Sequence, residues 1–321
     1  MNKLTTATLL ITIFVSPIAL HAEAFPSKPI RIIVPFNSGG SVDAVVRLAA
    51  QKLTAGLGQP FVIENRPGAG GIVGTEYVAK STQDGYTLLA TPSAFVMNVA
   101  LSKSPSYDPV RDFETISILA SYPLLLVSHP SLPVRNLKDL IALAKSQPRN
   151  LNYSSGGIGT SNHVAAELFG YLAGVKLTHV AYKGGGPAFT ALIGGEVHIM
   201  FAAAPTTMPH IKSGKLRVLG VSTAKRSNFF PDIPTISENA LLGFEVNSWS
   251  GLFAPMGTPL VILKAMNSEI SKGFKQADVM DILEKLGLES ATGSLEDAAS
   301  MIKAEVAKWI KIVKATGIKP Q

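Results

Sequence analysis

Strand-like and helix-like segments alternate along most of this chain, and this pattern constrains its fold more than any other feature. Short apolar runs at 30–36, 60–66 and 86–91 indicate buried strands. Between the first two, residues 42–58 carry apolar side chains at helical spacing and end in glycine. Buried strands that alternate with amphipathic helices are typical of a mainly parallel sheet with helices on both faces. The predicted fold class is therefore α/β.

Two long apolar stretches, 116–130 and 244–255, interrupt the alternation. We interpret them as strands that cross between two domains near Leu124 and Trp249 and act as a hinge. The chain after the second stretch is predicted to be helical to its end. The predicted division is a signal peptide at 1–24, a discontinuous first domain formed by 25–123 plus 246–321, and a second domain at 124–245.

The first residues have the pattern of a secretory signal peptide. Lys3 precedes an apolar run at 9–20, and Ala22-Glu23-Ala24 has the small residues of a cleavage site. The run is shorter than the roughly 20 residues that span a bilayer, although a retained membrane anchor is the alternative. The chain has no cysteine, which excludes thiol catalysis and cysteine-ligated zinc. We expect a periplasmic protein.

The formal net charge of +7 is spread thinly over the chain. No run of five or six like charges occurs, and no aromatic pattern accompanies the basic residues, so nucleic-acid binding is not expected. A mild positive field would raise the encounter rate with anionic solutes. The alternative is that the charge has no functional role.

Three glycine-rich turns, at 35–43, 152–163 and 181–188, follow predicted strands and precede predicted helices. Glycine lets backbone N–H groups approach a ligand, and a helix start leaves several of these groups unpaired. Such sites hold carboxylate or phosphate without an arginine. Since the first two turns fall in different predicted domains, together they could clamp one anion. The alternative for the first turn is a plain connection with Ser41 or Asp43 as helix cap.

Common catalytic and cofactor motifs are not matched. The segment 66–74 has Gly68 and Gly70 of a dinucleotide fingerprint, but Val73 replaces its third glycine. The chain lacks a P-loop and a nucleophile elbow, and its six histidines form no metal-ligand pattern. His163 is interpreted as a packing or capping residue rather than a general base. No cofactor and no metal are expected.

Several motifs, in order and at matching spacing, resemble one known family over nearly the whole chain past residue 24. They include "GQPFVIENRPGAGG", "DGYTLLA", "NYSSGGIGTSNH", "YKGGGPA" and "SWSGLFAPMGTP". The chain is similar to the Bug-type (TctC-like) periplasmic solute receptors of tripartite tricarboxylate transporters. This resemblance implies a type II periplasmic binding protein, with two doubly wound domains that close as a Venus flytrap. It also implies capture of a small carboxylate, held largely by backbone N–H groups, and delivery to a membrane permease.

The resemblance and the loops together give a candidate ligand site, in which no residue is catalytic. Its residues are Phe36, Ser38, Gly39, Gly40, Val42, Asp43, Ser93, Ser155, Gly157, Gly159, Thr160, Ser161, His163, Tyr182 and Ala202.

The ligand itself is left open among mono-, di- and tricarboxylates. Ile158 and Ala202 replace polar residues usual in the family, and Pro92, Phe95 and Met97 follow the third strand. These residues favour a carboxylate with an apolar or aromatic body. The alternative is that they face the core and that water holds a distal carboxylate.

A non-enzymatic carboxylate receptor, acting as a monomer, is the leading functional hypothesis. A second class is a ligand-loaded signalling partner of a sensor kinase. A third is a periplasmic hydrolase that uses Ser155 and His163, although no acid partner or oxyanion signature accompanies them.

Overall fold

The structure, a computed structural model, describes residues 25–39, 41–227 and 229–316 of the 321-residue chain. The predicted signal peptide and Gly40 therefore lie outside the described residues. The strands are β1 (Ile30–Val34), β2 (Phe61–Asn65), β3 (Thr87–Pro92), β4 (Phe113–Ser128), β5 (Asn152–Ser155), β6 (Thr178–Ala181), β7 (Ile199–Ala203), β8 (Arg217–Val221), β9 (Asn247–Pro255) and β10 (Glu289–Ser290).

Helices fill most of the connections between these strands. They are α1 (Ser41–Leu57), α2 (Ile72–Ala79), α3 (Ala94–Leu101), α4 (Leu137–Ser146), α5 (Ser161–Ala173), α6 (Gly185–Ile193), α7 (Ala204–Lys212), α8 (Ile236–Asn239), α9 (Leu260–Gly273), α10 (Ala277–Lys285) and α11 (Leu295–Thr316). None of the helices within the described ranges combines the length and the apolar character that a membrane crossing requires.

The first half of the sheet is built around β1, which lies between β2 and β3 and is parallel to both. Ile30, Ile32, Ile33 and Val34 are each at most 1% exposed, and α1 and α2 pack against this part of the sheet. A strand covered on both faces carries apolar side chains on both, which explains an apolar run that only the exposed Arg31 interrupts.

The second half repeats this arrangement around β5, which lies between β6 and β7 and is parallel to both. The helices α5 and α6 pack on these strands. In both halves, glycine-rich turns follow the carboxyl ends of parallel strands. Such ends line the ligand crevice in open α/β sheets.

Strands β4 and β9 join the two halves and are antiparallel to all their neighbours, so the sheet is mixed rather than mainly parallel. Residues 113–123 of β4 contain the pairings with β9, and residues 124–128 contain those with β7 and β8. The strand runs unbroken through Pro123, which stands where β4 changes partners and where a missing N–H is tolerated. The predicted domain boundaries stay a prediction.

One element is not among those predicted from the sequence, and another differs from the prediction. Helix α3 has the sequence "AFVMNVAL", which is apolar almost all round and shows no helical period. Strand β10 lies in the segment predicted to be helical, and its two residues pair with β4 at Ser121 and Ala120. Both elements form through contacts with distant parts of the chain, so local sequence patterns do not predict them.

Candidate functional site

A cavity of about 190 Å³ lies between the two halves of the sheet. It is bordered by the starts of α1, α3, α5, α6 and α7 and by residues of β1, β3, β4 and β7. Eight of the predicted site residues line it: Phe36, Ser38, Gly39, Val42, Asp43, Thr160, Ser161 and Ala202. The cavity therefore brings the first two glycine loops together.

The first loop is held by a side chain of its own helix. Asp43 accepts a hydrogen bond from the backbone N–H of Gly39, at 3.4 Å, and its carboxylate pairs with Arg47 at 2.9 Å. Gly39 has a φ of 86°, which a residue with a side chain rarely adopts. Asp43 thus orders the loop and is neutralised by Arg47, which is not among the residues that line the cavity.

The second loop is also internally ordered. The hydroxyl of Thr160, the residue before α5, donates to the carbonyl of Gly157 at 2.6 Å. Gly157 and Gly159 have φ values of 124° and 77° and are not among the cavity-lining residues. This arrangement presents the first turn of α5, beginning at Ser161, to the cavity.

The third loop contributes glycines instead of Tyr182. Gly184, Gly185 and Gly186, at the start of α6, line the cavity, whereas the Tyr182 hydroxyl donates to Glu196 at 3.4 Å and is not part of the lining. The motif "YKGGGPA" identifies this loop in the sequence, but only the tertiary structure shows which of its residues face the cavity.

The third loop also closes one edge of the cavity. The side-chain amide of Asn37, in the first loop, donates to the carbonyl of Lys183 at 2.9 Å. This bond joins a loop of the first half of the sheet to a loop of the second.

Fixed dipoles, rather than cationic side chains, are the features of the cavity that can attract an anion. Among the described residues, no lysine, arginine or histidine lines it, and Asp43 is the only charged residue that does. Five helices, α1, α3, α5, α6 and α7, have first-turn residues in its lining, and the first N–H groups of a helix have no partner within that helix. These groups and the helix dipoles favour a bound anion.

Ser93 does not line the cavity, but a chain of hydroxyl groups connects it to a residue that does. Its Oγ is 3.4 Å from the Oγ of Ser248, which donates to the Oγ of Ser161 at the same distance. Because the single hydroxyl hydrogen of Ser248 is used for Ser161, Ser93 must donate to Ser248. Ser161 is then an acceptor in this chain of hydroxyl groups.

Ser155 and His163 do not form a nucleophile–base pair. Ser155 is fully buried, and its Oγ lies 2.7 Å from Nε2 of His179, while Nδ1 of His163 accepts from the N–H of Gly159 at 3.3 Å. Burial lowers the pKa of both histidines to about 4. These three side chains do not line the cavity. They lie beneath the second loop and hold it in place.

Three apolar residues expected in the cleft lie elsewhere. Phe95 and Met97 are buried in the core, where the Phe95 ring stacks on Tyr107 at 5.5 Å. The side chain of Ile158 is exposed and is not in the lining, but Pro92 and Ala202 are. The apolar wall is therefore formed mainly by residues of β1, β3, β4 and β7, to which α3 adds Ala94.

The model of one protein family, described as the tripartite tricarboxylate transporter family receptor, matches residues 45–318. This chain belongs to that family. BugT of Bordetella pertussis is 35% identical over 302 residues, which cover 94% of this chain and 93% of BugT. A UPF0065 protein from the tcbD-tcbE intergenic region of Pseudomonas sp. strain P51 is 38% identical over 296 residues, 92% of this chain and 88% of the relative. The resemblance seen in the sequence is thus confirmed.

Solved structures of this family have the same fold. R. palustris Rpa4515, solved with adipate, has a TM-score of 0.88 at 36% identity and covers 92% of this chain and 100% of its own. MatC from Rhodopseudomonas palustris, solved with malate, has a TM-score of 0.86 at 33% identity, covering 90% and 100%. The periplasmic binding protein BugD has a TM-score of 0.87 at 32% identity, covering 92% and 100%. The chain therefore has the two-domain α/β fold of periplasmic binding proteins.

Proposed function

We propose that this protein is a non-enzymatic periplasmic receptor that captures a small carboxylate in the cavity and delivers it to the permease of a tripartite tricarboxylate transporter. One observation carries the proposal: the starts of five helices, from both halves of the sheet, border a single cavity that has no cationic side chain among its described lining residues. A carboxylate fits such a site because unpaired N–H groups can bind both of its oxygens. Adipate in Rpa4515 and malate in MatC support this class of ligand.

The proposal includes export by the predicted signal peptide at residues 1–24 and action as a monomer. Cell fractionation should find the protein in the periplasm, and light scattering should give the mass of one chain. Deletion of its gene should abolish uptake of the labelled ligand. Unchanged uptake would contradict delivery to a permease and would favour the sensor-kinase alternative.

A matched pair of substitutions tests the role of the backbone. Gly185 is the first residue of α6, and a Cβ at this position would meet no atom within 4 Å. Gly185→Pro removes one N–H, and proline is tolerated at a first helical position. Gly185→Ala keeps the N–H and serves as control.

We expect the proline variant of residues 25–321 to bind its carboxylate at least tenfold more weakly, or about 1.4 kcal/mol, while the alanine variant binds normally. Titration calorimetry measures both affinities, and thermal unfolding verifies that both variants fold. Equal binding by the two variants would show that this N–H does not hold the ligand.

A further inference from the structure

The wall of the cavity beyond the helix starts is largely apolar. Val34, Val42, Pro92, Leu124, Met200 and Ala202 line it, and they come from β1, α1, β3, β4 and β7. Leu124, Met200 and Ala202 are at most 2% exposed, so this wall is rigidly built into the sheet. Apolar contact with it would add about 25 cal/mol per Å² of buried ligand surface.

The polar side chains next to this wall already have partners in the protein. The Thr206 hydroxyl donates to the carbonyl of Ala203 at 3.1 Å, and the Asn162 side-chain amide donates to the carbonyl of Phe201. The buried Tyr122 has a raised pKa caused mainly by loss of hydration, so its hydroxyl is neutral. None of these groups offers a positive charge to a ligand.

A second carboxylate at this wall would be poorly compensated. It would lose its water and gain no cation, and of the two helix starts that adjoin this wall, those of α3 and α7, the second carries a proline in its first turn and therefore lacks one N–H. Transfer of a poorly compensated charge into such surroundings is costly. The carboxylate of Asp43, although paired with Arg47, is the only charge that lines the described cavity, and it has the same sign.

The size of the cavity sets the size of the ligand. An apolar cavity of about 150 Å³ holds benzene. The cavity here, at about 190 Å³, has room for a ring or chain of that size together with one carboxylate.

We propose that the ligand is a monocarboxylic acid with an apolar body of about six carbons, held by its carboxylate at the starts of α1, α5 and α6 and by its body against the wall formed by β1, β3, β4 and β7. This inference rests on the proposed function, because it assumes that the cavity binds a carboxylate. Under this inference, Met200, Leu124 and Ala202 are the residues that disfavour a ligand with a second charged group.

Titration calorimetry of residues 25–321 with four probes of similar size tests this inference and the proposed function separately. Hexanoate, benzoate and adipate carry one, one and two carboxylates, and 1-hexanol carries none. We expect hexanoate or benzoate to bind at least tenfold more tightly than adipate, and hexanol not to bind.

Each other outcome has a distinct meaning. If adipate binds at least as tightly as both monocarboxylates, the inference is wrong while the proposed carboxylate receptor stands. If none of the three acids binds, or if hexanol binds as well as hexanoate, the proposed function fails as well.

A pair of methionine variants tests the wall itself. Met200→Gln places an amide at the wall and should weaken binding of the favoured monocarboxylate about tenfold, because the apolar body of the ligand would desolvate the amide without pairing it. It should leave adipate binding unchanged. Met208→Gln on α7 is the control, since Met208 is not part of the cavity lining. Equal effects of the two substitutions would overturn the assignment of Met200.

Discussion

A substitution at Gly70 tests whether the two halves of the protein must come into close contact for the ligand to bind. It follows β2 in the first half, and its carbonyl accepts from the side-chain amide of Asn98 at 3.0 Å. A Cβ on Gly70 would lie 2.4 Å from the carbonyl oxygen of Ile158, in the second loop. That oxygen belongs to the backbone, so no side-chain rotation can relieve the contact.

The substitution Gly70→Ala therefore has two separable effects. Its φ of 63° costs an alanine about 1 kcal/mol in any state of the hinge. The clash arises only when the halves meet, and the Ile158 oxygen must retreat by 0.6 Å before the 2.4 Å contact reaches even 3.0 Å. We expect this second effect to lower ligand affinity at least tenfold, or about 1.4 kcal/mol.

Gly174→Ala is the matched control, because Gly174 has a φ of 64° and a Cβ there would meet nothing within 4 Å. It should lose similar stability in thermal unfolding and keep normal affinity in titration calorimetry. Ligand should also reduce the radius of gyration of the control in solution scattering, but not that of Gly70→Ala. Normal affinity and normal compaction of Gly70→Ala would refute this reasoning.

Two further predictions concern charged and titratable groups. Arg47→Ala should leave ligand affinity, measured by calorimetry, within about tenfold, because Arg47 pairs with Asp43 and does not line the cavity; a loss of several orders of magnitude in a folded variant would make Arg47 the anion partner. The folded-state pKa values of His163 and His179, about 4, lie below the ordinary histidine value of 6.5, so the unfolded chain binds more protons between these pH values and folding stability should fall as pH decreases through that window. For the buried His163 the shift corresponds to about 3 kcal/mol, and His163→Gln should flatten the pH dependence in denaturant unfolding. An unchanged slope in that variant would contradict the assignment.

The local features of the site can be predicted from the amino-acid sequence. A strand followed by glycines and a helix start is a local pattern, so the turns at 35–43, 152–163 and 181–188 are identifiable from residue order alone. The two long apolar stretches likewise indicate the connecting strands, because few other arrangements bury so many apolar residues outside a helix.

The direction in which each loop residue points could not be predicted. Ser155 is fully buried beneath the second loop and Tyr182 is directed to Glu196, whereas Gly184 and Gly185 line the cavity. These orientations follow from how the strands pair and how the two halves meet, which no local pattern records. The apolar helix α3 escapes prediction for a related reason, since a segment buried on all sides has no polar face to reveal its period.

A crystal structure of residues 25–321 with the most tightly bound of the tested acids is the most direct test of the central claim. The account predicts that the carboxylate oxygens lie about 2.7–3.2 Å from N–H groups in the first turns of α5 or α6, with no lysine or arginine side chain bound to them. A carboxylate paired with the side chain of Arg47 or Lys183, or bound outside the cavity, would contradict it.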